Sequence, residues 1–179
     1  MTDKGAHRLE FSVVAFAILF ATMYLAWQAT HGGVVSHHLL DQRNLPAISN
    51  WWGLAILPLI GWFASRSVRH RAAVDAKGRT KAAAATAGAL LVGVALSIVF
   101  IIDSNGNAPL YVLLAALVAG LIFPAYRAEY VFGFVVGMSF VFGLVLPAIV
   151  ALVLVTISAA FHFLLRPAFA WTVRRGRSR

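Results

Sequence analysis

The chain contains no cysteine, which excludes disulfides, iron–sulfur clusters and thiolate chemistry and leaves the redox compartment open. Charge is scarce as well: charged residues make up 12% of the chain, and only six of them are acidic. An ordinary soluble domain carries about 25%. The few carboxylates avoid the apolar stretches, since Glu10, Asp103 and Glu129 all fall at their ends. Proton- and sodium-coupled carriers commonly place a carboxylate near mid-membrane, and this sequence offers none there. GxSxG, P-loop and HExxH patterns are missing, as are paired aspartates within an apolar stretch, so no hydrolase or nucleotidase signature is present. There is no internal repeat, low-complexity tract or linker, and residues 1–179 read as a single domain.

What remains is overwhelmingly apolar. Hydrophobic residues make up 61% of the chain, against about 45–50% in soluble domains. The composition therefore specifies an all-α integral membrane protein. Six apolar segments are readable, at about 11–29, 51–68, 82–102, 108–125, 130–146 and 148–165. The first follows a short basic start and lacks a convincing cleavage site, so it reads as a retained signal anchor. Pro58 kinks the second. The last two come from one uninterrupted run, Tyr130 to Leu165, whose only ionisable side chain is His162. That run is too long for a single span of about 20 residues, and Pro147, near its midpoint, is the expected hinge.

Topology follows from charge, because lysine and arginine resist translocation. With the basic stretch Arg66–Lys81 inside and the run crossing twice, fourteen of the fifteen Lys and Arg are cytoplasmic and only Arg43 is outside. A single crossing leaves nine inside and six outside. The expectation is a compact six-helix bundle with both termini cytoplasmic, in a bacterial-type inner (plasma) membrane. The alternative has four spans, with 108–125 failing to cross and 130–165 forming one long tilted helix. The net charge of +9 is then accounted for by cytoplasmic loops, and nucleic acid is not an implied partner. Trp27, Trp51, Trp52 and Tyr111 fall at the expected outer interface, and Tyr126, Tyr130 and Trp171 at the inner one.

Several residues stand out chemically. Gly133 and Gly137 form a GxxxG pair, and Ala17/Ala21, Ala84/Gly88 and Ala116/Gly120 repeat the small-xxx-small spacing that lets helices approach closely in lipid. The pairing predicts packing within one bundle or a homo-oligomer interface. The first outer loop, residues 31–50, carries His31, His37, His38 and Asp41. On a helix His37 and Asp41 are four apart, which is half of a zinc or copper site. Residues 34–40 are expected to form a short amphipathic helix on the membrane surface, a lid with Trp51 and Trp52 as its floor. His162, close to the inner end of the last segment, is an intramembrane ionisable group, and a bis-histidine haem would need a second ligand at matching depth.

Three functional readings follow. The first is a small non-enzymatic membrane protein, a transport or channel component or an accessory subunit whose partners are lipid, further copies of itself or other membrane subunits. The second is a redox or sensor protein that uses the histidines to hold zinc, copper or haem. The third is a lipid-modifying enzyme with its chemistry in the 31–50 loop.

Overall fold

The computed structural model describes residues 3–34, 36–38, 47–103 and 106–167. Helix dominates: α1 (Asp3–Thr30), α2 (Gly53–Val74), α3 (Gly78–Ile102), α4 (Ala108–Ile122), α5 (Ala128–Phe142) and α6 (Val145–Ala160). A π-helical turn, Phe161–Leu165, closes α6. Between α1 and α2 lies a small antiparallel ladder of β1 (Ser36–His38) and β2 (Ala47–Ser49), and a 3-10 turn over Asn50–Trp52 leads into α2. The helix expected over 34–40 is therefore replaced, at residues 36–38, by a strand with His37 opposite Ile48 and His38 opposite Ala47. The reason is cross-strand pairing: Ala47–Ser49, past the Pro46 break, supplies ladder bonds that a seven-residue surface helix cannot match, since isolated short helices are marginal.

The connectors are tighter than expected. Arg66–Lys81, read as a loop, is helical apart from Asp75–Lys77, because its Arg and Ala residues are strong helix formers that extend α2 and begin α3. Asp75 makes the turn. Its backbone N–H donates to the Arg71 carbonyl (2.8 Å), its carbonyl accepts from Gly78 (2.8 Å), and its carboxylate accepts from the Lys77 N–H (2.9 Å). Asp103 does the same between α3 and α4, where it accepts from the Ala108 N–H (3.1 Å).

The run 130–165 is divided, which removes the single-helix alternative. The division falls at Gly143 rather than Pro147. Gly143 has φ +76°, a conformation glycine adopts at no steric cost. Pro147 sits in the first turn of α6, where a missing N–H breaks no helical bond.

Contacts fix the helix directions. Gly133 and Gly137 of α5 meet Thr86 and Leu90 of α3, and Phe142 stacks edge-on against Phe100. Residue numbers rise together along both helices, so α3 and α5 are parallel. Glu129 of α5 meets Arg71, late in α2, while Leu144 meets Gly53 at its start, so α2 and α5 are antiparallel. Glu10 pairs with Arg69 (3.0 Å) and Gln28 with Asn50 (3.3 Å), making α1 and α2 antiparallel. Gly120 of α4 meets Ser158 of α6. The six helices thus alternate in direction. One pole gathers the start of α1, the 75–77 turn, the 123–127 connector and the end of α6. The other gathers the ladder, the Asp103 turn and Gly143.

α5 is the axis of the bundle. Phe132 through Ser139 are buried without interruption, enclosed by α1, α2, α3 and α6. The outward faces stay apolar: Phe11, Leu91, Ile122 and Leu152 are each more than 60% exposed. Among the described residues, three helical stretches are long and apolar enough to cross a membrane, His7–Thr30, Gly78–Ile102 and Val145–Leu165, and α4 and α5 are shorter apolar helices.

Candidate functional site: a cavity at the basic pole

The space between α3, α4, α5 and α6 at the basic pole is not filled. A cavity of about 630 Å³ opens there. Its cause is side-chain size. Ala84, Ala85, Gly88 and Ala89 of α3 face Ala116, Ala119 and Gly120 of α4, and Ala151 of α6 adds another small residue. A methyl group added at Gly88 would meet nothing within 4 Å. Gly88, expected to join helices, therefore faces open space, whereas Gly120 lines the cavity and also joins α4 to α6 through Ser158. Leu154, Val155, Phe134 and Phe123 complete the apolar walls.

The rim is cationic. Arg71, Lys81 and Arg127 all line the cavity, with Tyr130 among them. Two of these charges are occupied. Lys81 Nζ lies 2.7 Å from Asp75 Oδ2; this ammonium, and next the Lys77 N–H, hold the Asp75 carboxyl below its ordinary range. Arg71 is taken by Glu129. Arg127 has no acidic partner among the described residues.

Glu129 is the unexpected element. It stands at the end of an apolar segment, and none of its side chain is exposed. Nη1 of Arg71 sits against Oε1 as a charge contact rather than an aligned hydrogen bond, and Ser67 Oγ donates to Oε2 (3.2 Å). Arg71 Nη2 also reaches Ser67 Oγ at 3.5 Å. The carboxylate occupies the first turn of α5, where the helix dipole favours negative charge. The Ser67/Arg71 spacing of four on α2 and an acid opening a wholly apolar helix were the sequence signals for this group.

The residues singled out from sequence are dispersed. Gly133 and Gly137 face α3 inside the chain, where an added Cβ would strike the Thr86 and Leu90 carbonyls. His31 is exposed at the other pole. Its Nδ1 lies 2.9 Å from the Trp27 carbonyl, and its ring stacks on Trp27 at 4.9 Å. His37 and His38 are in β1, and Asp41 lies outside the described residues. Among the described residues no three His, Asp or Glu side chains converge as metal ligands. Trp51 and Trp52 are exposed beside a shallow depression with Ser49, Leu54 and Ala55. His162 is at the basic pole, with Nδ1 2.9 Å from the Ser158 carbonyl and its ring edge-on to Tyr126 at 5.5 Å. A buried polar chain that sequence did not flag links Tyr24, Gln28 and Asn50 at the opposite pole.

Comparison with protein-family models, with curated proteins and with solved structures gives no match.

Proposed function

We propose that the protein crosses a bacterial-type inner membrane six times, keeps both termini in the cytoplasm and works without catalysis, as a transport component or accessory subunit. One observation carries this reading: the six helices alternate in direction, and every lysine and arginine among the described residues lies at or toward the same pole. That is the asymmetry expected of cytoplasmic loops. The apolar outer faces supply a surface that lipid solvates and water does not. At 15 residues each, α4 and α5 are about 22 Å long, short of a hydrocarbon core of about 30 Å. Burial of α5 within the bundle relieves this for one of them. The buried hydroxyls of Ser65, Ser97, Ser139 and Ser158 each donate to a backbone carbonyl, which is a structural use.

The test is cysteine accessibility in intact cells. Substitutions at Ser36 and Asn107 should label with a membrane-impermeant maleimide from outside, and those at Lys77 and Ser178 only after permeabilisation. Outside labelling at Ser178 would overturn the six-span arrangement.

A further inference from the structure

We infer that the cavity at the basic pole is a binding site for one anionic phospholipid, with an acyl chain among the small residues of α3, α4 and α6 and the phosphate at Arg127. The volume, about 630 Å³, falls within the roughly 300–1,000 Å³ of sites that hold small ligands. Its interior is apolar down to Ala151 and Leu154, which suits hydrocarbon and offers nothing to a free soluble anion. Its polar character is confined to the rim and is of one sign. There Arg127 is the cation without an acidic partner among the described residues, whereas Arg71 and Lys81 face Glu129 and Asp75. A guanidinium matches phosphate oxygens in a bidentate fork.

The site also lies where a lipid could reach it. It is formed between helices whose remaining faces are the exposed apolar surface, at the depth where the cationic residues would meet headgroups. The chain's own C-terminal tail is the wrong occupant on charge, since Arg174, Arg175, Arg177 and Arg179 would be set against a cationic rim. This inference rests on the membrane-embedded reading. The two fail separately, because labelling reports topology and lipid retention reports the cavity.

The experiment is native mass spectrometry of the full chain in mixed micelles holding equal amounts of phosphatidylglycerol and phosphatidylcholine. The parent should retain one phosphatidylglycerol per chain, with about a five-fold preference over phosphatidylcholine, the worth of one cation near an anionic headgroup. Gly88→Leu places a side chain in open space and should abolish retention without lowering the melting temperature. Ala116→Leu provides the same occlusion from the facing helix should the first variant misfold. Arg127→Gln should keep lipid and lose the preference. Equal retention of both lipids by the parent, undiminished phosphatidylglycerol in a folded cavity-filled variant, or a lipid-free dimer would each overturn the proposal.

Discussion

Glu129, with none of its side chain exposed, is in ionic contact with Arg71, whose side chain keeps 24% of its exposure. The two ends of this pair are therefore unequal. Removing the arginine strands a carboxylate that cannot reach water, at a cost of about 3–5 kcal/mol. Removing the glutamate leaves a long, partly exposed cationic side chain that can extend to solvent. Arg71→Leu should therefore lower the melting temperature in detergent far more than Glu129→Leu. The double Leu variant should recover much of the loss, because an apolar pair of similar volume has no charge to desolvate. Equal single effects that sum in the double variant would mean that the two residues do not interact.

The α3–α5 seam makes a second prediction. At Gly93 an added Cβ would stand 2.6 Å from the Phe134 carbonyl oxygen, and at Gly137 it would collide with that of Leu90. Backbone atoms cannot swing aside as side chains do. Gly93→Ala and Gly137→Ala should each cost about 1–3 kcal/mol, the usual range for overpacking. Gly88→Ala, on the same helix as Gly93 but facing the cavity, should gain about 0.5–1 kcal/mol from helix propensity. Titration with denaturing detergent would rank the three, and a Gly88 variant as damaged as the others would contradict the cavity.

Gly143 turns the chain between α5 and α6 with φ +76°, and a Cβ there would strike the buried Asn50 side chain. Gly143→Ala should cost at least the roughly 1–2 kcal/mol of left-handed strain in an L-residue. Adding Asn50→Ala should return the contact part of that loss and leave the strain. A Gly143→Ala variant of parental stability would place the break elsewhere.

These residues show where the sequence was readable and where it was not. The largely helical character is legible from apolar length, because hydropathy needs no knowledge of neighbours. The length of 130–165 requires a break, and Pro147 is its visible candidate, but the chain turns at Gly143. Proline is visible as a helix breaker, but its position in the chain does not reveal that it serves as a first-turn residue, nor that Gly143 takes the positive φ. The strand over Ser36–His38 depends on Ala47–Ser49, a partner no local pattern announces. Small-xxx-small spacing marked four pairs alike. Whether such a pair meets a backbone, as Gly133 and Gly137 do, or a void, as Gly88 does, is decided by the helix opposite. The burial of Glu129 is invisible in the sequence for the same reason, since it is set by α2.

Asp75 helps to neutralise the cationic rim of the cavity through Lys81. The Lys81 ammonium and the Lys77 N–H depress its carboxyl below the ordinary range. A group with a depressed folded value adds stability above its unfolded value, near 3.9, and loses it as pH falls through the folded value. Asp75 is thus charged throughout the neutral range. Both partners are exposed, with 43% of the Asp75 side chain and 68% of Lys81 accessible, so salt screens the pair and its contribution to folding is small. Its larger effect is on the cavity, where Asp75 offsets a cation at the mouth. Asp75→Asn should leave the melting temperature nearly unchanged at neutral pH. It should also raise the preference for phosphatidylglycerol over phosphatidylcholine by up to about five-fold, since Lys81 then acts as a second unpaired cation. Because the Asp75 carboxyl titrates below the ordinary range, mild acid should leave the parent's preference unchanged. The measurement is lipid retention in the same mixed micelles at pH 7 and pH 5. An unchanged preference in Asp75→Asn would show that Lys81 stands too far from the bound headgroup to be felt.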